Sequence, residues 1–211
     1  TPDPQAAFAA NVQVAETASR VERGLDAMHL ALSEDLLVGH NAGFLLVDLL
    51  AHRHGLTFKH DARFHGHLCR LRDHGRECWL LRPSTYMNRS GQSVSSLANY
   101  FKIAPEEMLV AHDELDLPAG AARLKQGGGH AGHNGLRDTM AALGSRDFYR
   151  LRIGIDHPQD RGKVVDYVLS RPSRADARAI DQALEAAADA LPDLLAGDLQ
   201  KAMNRLHGTR P

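Results

Sequence analysis

The stretch from Met108 to Leu143, MLVAHDELDLPAGAARLKQGGGHAGHNGLRDTMAAL, decides the fold class that the sequence predicts. It opens with a short apolar run, Met108 to Ala111, typical of a buried strand. A second short strand is predicted from Ala121 to Lys125, and a glycine-rich loop then leads into a helix from about Gly135 to Leu143. Strands that alternate with helices indicate an α/β layer fold. The first of these strands is followed by four polar residues, His112, Asp113, Glu114 and Asp116. Sheet proteins often place their chemistry at the end of a strand.

The segments on either side continue the alternation of strands and helices. Further strands are expected at Gly66 to Arg72, Glu77 to Arg82 and Phe148 to Ile155. Further helices are expected at Gly43 to Ala51, Ser93 to Ile103, Ser173 to Gly197 and Gly197 to His207. We therefore predict a single α/β domain with a mixed, twisted sheet flanked by helices.

The N-terminal segment differs from the rest of the chain. From Val14 to Leu32 the apolar residues step by three or four, which predicts an amphipathic helix interrupted only by Gly24. We divide the chain into a divergent segment, residues 1–38, and a domain, residues 39–211.

Composition limits the class of protein. The 211 residues, 43% hydrophobic and 24% charged, are typical of one soluble globular domain that needs neither disulfides nor a structural metal. No apolar run is long enough to span a bilayer, and the start of the chain lacks the pattern of a secretory signal, so a cytoplasmic location is expected. The net charge is −1, yet residues 120–163 hold eight basic and four acidic side chains. This local surplus suits either a solvated surface or a nucleic-acid partner.

Three polar clusters and one carboxylate suggest a hydrolytic site. Histidine accepts a proton near neutral pH, and a carboxylate bonded to its other ring nitrogen fixes the tautomer. Asparagine amides can donate to a developing oxyanion without adding charge. The candidates lie at the ends of predicted elements: His40-Asn41, Met87-Asn88, His133-Asn134 and Asp113.

Competing interpretations of these residues are weaker. With 13 histidines, composition alone does not select His40 as a base. His130 and His133 lie three apart without the cysteines or the HExxH pattern of a zinc site, so no metal is expected. The glycines from Gly127 to Gly129 are not followed by the Gly-Lys-Ser/Thr of a P-loop, so no nucleotide cofactor is expected. A serine elbow is also lacking, which leaves water as the nucleophile.

Five motifs together resemble the bacterial peptidyl-tRNA hydrolases, in order and with sensible spacing over about residues 39–207. They are HNAGF at 40–44, RPSTYMNRSG at 82–91, LVAHDELDLPAG at 109–120, LKQGGGHAGHNGLRD at 124–138 and FYRLRIGIDHP at 148–158.

The resemblance implies a monomeric enzyme without a cofactor that cuts the ester between a nascent peptide and the terminal ribose of tRNA. By matching motif, His40 is the base and Asp113 the residue that keeps it basic. Lys125 and Arg152 resemble a clamp for a tRNA phosphate. The resemblance also implies four residues that bind substrate: Tyr86, Met87, Asn88 and Asn134.

The chain departs from the family pattern ahead of His40. The family has a first strand reading like VGLGNPG, then a tyrosine and a Thr-Arg, whereas this chain has LSEDLLVG. Three explanations are open: a misread or frame-shifted N-terminus joined to a true enzyme, a divergent variant in which Leu36, Leu37 and Val38 substitute weakly for the strand, or a catalytically impaired tRNA- or RNA-binding homologue.

Overall fold

A mixed seven-stranded sheet forms the centre of the protein. A computed structural model describes residues 29–31, 41–73, 75–158 and 164–208. Within these residues the strand order is β2-β3-β4-β1-β5-β7-β6. The strands are β1 (His29–Ala31), β2 (Lys59–Asp61), β3 (Gly66–Asp73), β4 (Arg76–Pro83), β5 (Met108–Glu114), β6 (Ala122–Gln126) and β7 (Tyr149–Gly154). The predicted α/β class and mixed sheet are confirmed.

Helices cover both faces of the sheet. They are α1 (Ala42–Arg53), α2 (Ser90–Phe101), α3 (Asn134–Leu143), α4 (Val164–Leu169), α5 (Arg174–Leu195) and α6 (Leu199–Gly208). Helices α1, α5 and α6 share one hydrophobic core with the sheet. Helices α2 and α3 enclose a second core on the opposite face. Helix α5 buries the apolar residues that recur at helical spacing along it, including Ile180, Leu184 and Leu191.

The N-terminal segment supplies the central strand. β1 runs parallel to both β4 and β5, with His29 opposite Trp79 on one side and Met108 on the other. The predicted helix is therefore wrong at residues 29–31, because pairing with two strands outweighs a weak local helical pattern. The rest of that predicted helix, and Leu36 to Val38, lie outside the described residues.

Strand β5 is longer than predicted and carries the polar cluster inside the sheet. It extends through Glu114 because β7 pairs with it that far, with Asp113 opposite Ile153 and Glu114 opposite Gly154. Alternation along the strand places Asp113 on the side of α1 and His112 on the side of α3. The end of β5 therefore lies between two helices.

The predicted hairpin is confirmed as β3 and β4. Its cysteines, Cys69 and Cys78, are buried and not bonded to each other, and burial raises the pKa of the Cys69 thiol to about 11. They behave as small apolar core residues. No helix in the described ranges is long and apolar enough to cross a membrane.

Candidate active site

Asp113 fixes the start of α1. Its carboxylate accepts a hydrogen bond of 2.6 Å from the backbone amide of Ala42, and the amide of Gly43 also interacts with it. The first amides of a helix have no partner within the helix, so a carboxylate there satisfies them and meets the positive end of the helix dipole. This bond holds Asn41, the residue before α1, at the end of β5.

The Asp113 carboxyl is harder to ionise than an ordinary aspartate. Removal from water raises its pKa to about 6, although the two backbone amides act in the opposite direction. Burial disfavours the charged form, and here it outweighs the hydrogen bonds. A neighbouring group that becomes positive would stabilise the carboxylate.

A cavity of about 30 Å³ joins the predicted clusters. Its lining includes Asn41, Met87, Asp113 and His133, which represent all three polar clusters and the carboxylate. His40 lies outside the described residues, but its neighbour Asn41 lines this cavity. The structure thus brings Asn41, Met87, Asp113 and His133 to one cavity.

Close packing connects the turn at Met87 to the start of α3. A Cβ atom at Gly135 would come within 2.6 Å of the Met87 sulfur, so a larger residue there would require the Met87 side chain to shift. Asn88 is exposed one residue further along a 3-10 turn, Met87–Arg89. Tyr86 is 68% exposed and does not line the cavity.

Asn134 is held with its donor side available. Its Oδ1 atom accepts a hydrogen bond of 2.9 Å from Arg137 one turn along α3. This bond occupies the amide oxygen and leaves the amide nitrogen as a donor near the positive end of the helix. The arrangement suits binding of a carbonyl oxygen.

Two histidines that the sequence analysis names separately, His112 and His133, line the cavity as a pair, and the sequence did not predict this pairing. His112 is 5% exposed, and its ring lies 5.1 Å from that of His133, edge to face. Burial, followed by the proximity of His133, lowers the pKa of His112 to about 3, and burial lowers that of His133 to about 4. Both rings are neutral at physiological pH. The sequence signals were a polar residue at the end of a buried strand for His112 and a position just before a helix for His133.

The basic side chains of β6 and β7 lie on one face of the sheet edge. Antiparallel pairing sets Arg123 opposite Arg152 and Lys125 opposite Arg150, and paired residues share a face. Lys125 is exposed, whereas Arg150 is 4% exposed and donates to the carbonyl oxygens of Gly127 and Gly129. The buried Arg150 side chain therefore holds the glycine-rich loop through two of its backbone carbonyl oxygens.

Arg152 of the predicted clamp has an acidic partner. Its Nε donates a hydrogen bond of 2.8 Å to Glu114. Burial by itself would raise the pKa of Glu114, but this bond, the backbone amide of Asp116 and the charge of Arg152 together lower it. The basic edge therefore contains one buried carboxylate that orients a guanidinium. Among the described residues no cluster of three or more His, Cys, Asp or Glu side chains could hold a metal.

Comparison with known proteins agrees with this geometry. The profile of the peptidyl-tRNA hydrolase family matches residues 38–211. A peptidyl-tRNA hydrolase of Halorhodospira halophila is 52% identical over 168 residues, which cover 80% of this chain and 87% of the relative. One from Pseudomonas putida is 52% identical over 172 residues, covering 81% and 89%.

A solved structure shows the same architecture. The crystal structure of peptidyl-tRNA hydrolase from Acinetobacter baumannii superposes with a TM-score of 0.83 at 41% identity, covering 88% of this chain and 96% of that one. The fold and the comparisons together define a hydrolase built on a mixed sheet between helices, with a cavity lined by the N-cap residues of two helices, Asn41 and His133. The chain belongs to the peptidyl-tRNA hydrolase family.

Proposed function

We propose that this protein hydrolyses the ester that joins the peptide to the terminal ribose of peptidyl-tRNA, with His40 as general base. The observation that carries the proposal is the hydrogen bond that the amide of Ala42 donates to the Asp113 carboxylate. This bond holds the segment next to His40 at the cavity at the end of β5. Membership of the family supports the reaction and the substrate. The products are free tRNA and a peptide with a free carboxyl group.

The proposed reaction needs only the side chains of this chain and water. His40 takes a proton from water as the water oxygen adds to the ester carbonyl, and Asp113 stabilises the resulting imidazolium. The carbonyl oxygen becomes an oxyanion that accepts hydrogen bonds from the amides of Asn88 and Asn134. The intermediate then expels the ribose hydroxyl, which receives the proton from His40.

Substrate binding completes the proposal. Tyr86 and Met87 contact the peptide in this proposal: Tyr86 is exposed, and half-buried Met87 lines the cavity. Lys125 and Arg152 form a clamp for a phosphate of the acceptor arm, and their position on a basic edge supports this role. Contacts of this kind recognise tRNA by backbone and shape rather than by base sequence. The proposal includes a monomeric protein that acts in the cytoplasm.

The decisive experiment compares wild type with His40→Ala and the exposed control His54→Ala. N-acetyl-aminoacyl-tRNA serves as the substrate, and release of the N-acetyl-amino acid and binding of tRNA are both measured. We expect His40→Ala to lose about 10²-fold or more in turnover while tRNA affinity is kept, because a base contributes about 10²–10⁴. The control should match wild type.

Two outcomes would contradict the proposal. Unchanged turnover in His40→Ala would remove His40 from the mechanism. Salt-dependent tRNA binding by folded wild-type protein without cleavage would instead favour the binding-only homologue.

A further inference from the structure

The unexplained feature of the site is the ring of His112. Its Nε2 atom is buried and has no hydrogen-bond partner in the described part of the chain, although the ring lines the cavity. A buried polar atom without a partner costs about 1–3 kcal/mol, so native proteins rarely leave one unsatisfied. This atom therefore points to a ligand within the cavity.

The backbone fixes which nitrogen of His112 carries the proton. Its Nδ1 lies 2.7 Å from the carbonyl oxygen of Asp113, and a carbonyl oxygen can only accept. Nδ1 must therefore be the donor. In the neutral ring Nε2 then has a free lone pair and is a hydrogen-bond acceptor.

The backbone fixes the opposite tautomer in His133. Its Nδ1 accepts a hydrogen bond of 3.2 Å from the amide of Leu136, as the N-cap of α3. Nδ1 is therefore unprotonated, and in the neutral ring the proton is on Nε2. The two rings together present one acceptor and one donor.

We propose that His112 and His133 form a neutral donor–acceptor pair that holds one water molecule in the cavity, and that His112 thereby positions His133 and the start of α3. Water suits the pair because one molecule can donate to Nε2 of His112 and accept from Nε2 of His133. The volume of about 30 Å³ is sufficient, since one water needs roughly 10–15 Å³ of such space. Asn41 and Thr139 add polar side chains to the lining.

The surroundings favour the neutral pair. The charged and titratable groups around it are Glu114 on the same strand face, Arg150 and Arg152 on β7, and His130 in the glycine loop. Glu114 is paired with Arg152 and Arg150 is bound to carbonyl oxygens, so these charges already have partners.

The consequence for the reaction rests on the proposed function. His133 caps α3, and the next residue is Asn134, the proposed donor to the reacting carbonyl. A water bridge that fixes the His133 ring also fixes the cap, and through it the direction of the Asn134 amide. His112 is thus a positioning residue that acts through His133 and does not touch the substrate.

The first test is ¹⁵N nuclear magnetic resonance of the imidazole rings, assigned with His112→Gln and His133→Gln. We expect His112 to be protonated at Nδ1 and His133 at Nε2, both neutral from about pH 5 to 8. The reverse tautomer in either ring, or a charged ring in that range, would overturn the proposal. So would a high-resolution crystal structure in which no water contacts both Nε2 atoms.

The second test separates the water bridge from packing. His112→Gln keeps an acceptor near the position of Nε2, whereas His112→Met has a similar length and no strong acceptor. We expect His112→Met to lower kcat about tenfold with KM changed less than about twofold, and His112→Gln to remain within about threefold of wild type. The exposed His52→Met is the matched control.

The two proposals fail in different ways. If wild type does not cleave the ester, the proposed function fails, while the tautomers still decide the proposal on the histidine pair. If wild type cleaves but the Gln and Met variants are equally active or equally impaired, the positioning role of His112 is wrong.

Discussion

Asp113 and His112 are neighbours on β5, yet they lie in opposite environments. The Asp113 carboxylate accepts hydrogen bonds from backbone amides at the start of α1, whereas Nε2 of His112 has no protein partner in the described chain. Burial raises the pKa of the acid and lowers that of the base, so it opposes the charged form of both. The difference shows that the end of one strand can place a carboxylate that would stabilise a charged histidine on one face of the sheet and a neutral binding site on the other.

The largest expected effect concerns the charge of Asp113. Asp113→Asn keeps an oxygen that can accept from Ala42 but removes the negative charge that would stabilise the imidazolium of His40. We expect kcat/KM to fall by about 10²–10⁴ while the unfolding midpoint in urea changes little. Exposed Asp116→Asn is the control. Activity near that of wild type would show that Asp113 only anchors α1.

The next largest effect concerns the stability that Arg150 provides on the side of the sheet that faces α3. Arg150→Met leaves the carbonyl oxygens of Gly127 and Gly129 without their buried donor. We expect the free energy of unfolding to fall by about 2–4 kcal/mol in urea titrations, against little change for exposed Arg146→Met. If the free energy of unfolding fell no more than in the control, the hydrogen bonds from Arg150 would not be needed to stabilise the glycine loop.

The difference between acid and base also predicts a pH dependence of stability. Between pH 6.5 and about 4 the unfolded chain protonates His112 while the folded chain does not, so this residue removes stability as the pH falls. Asp113 has the opposite sign, because its raised pKa lets the folded chain bind a proton first. The two groups therefore oppose each other as the pH falls.

His112→Gln isolates the histidine, because Asp113 titrates in both proteins. As the pH falls through that window, the free energy of unfolding should decrease in both proteins. We expect the decrease to be smaller in the variant, by about 1.4 kcal/mol per pH unit. Urea unfolding at several pH values measures this difference. Parallel curves for the two proteins would show that His112 is not held neutral in the folded state.

The smallest effect concerns the basic edge. Lys125→Ala removes one proposed phosphate contact from an exposed position, so tRNA affinity should fall by several-fold. The slope of log affinity against log salt should decrease by about 1. Exposed Arg137 is no suitable control because it orients Asn134, so exposed Arg89→Ala is used. An unchanged salt slope would remove Lys125 from the clamp.

The sequence predicts much of the fold because its periodic patterns are strong. The helices α3 and α5, the β3–β4 hairpin and strand β7 were identified correctly from the sequence pattern. β1 was not, since the three residues His29–Ala31 have little local signal and become a strand only through two partners distant in the sequence. Long-range pairing of this kind is not encoded locally.

The site was predictable as a set of residues, but its contacts were not. The motifs pointed to Asn41, Met87, Asp113 and His133 because each lies at the end of an element, and the cavity is lined by these four. The pairing of Arg152 with Glu114 depends on the register between β5 and β7, which no local pattern reveals. The tautomers of His112 and His133 likewise depend on backbone atoms that only the folded chain brings near.

The position of β1 has a consequence for how the protein opens. In the described residues, the antiparallel block β2-β3-β4 and the block β5-β7-β6 are joined in the sheet only through His29–Ala31. Release of this short strand would divide the sheet into two three-stranded blocks without breaking a bond inside either. Amide hydrogen exchange along the facing edges, at Trp79–Leu81 and Met108–Leu109, would then report detachment of β1 rather than global unfolding.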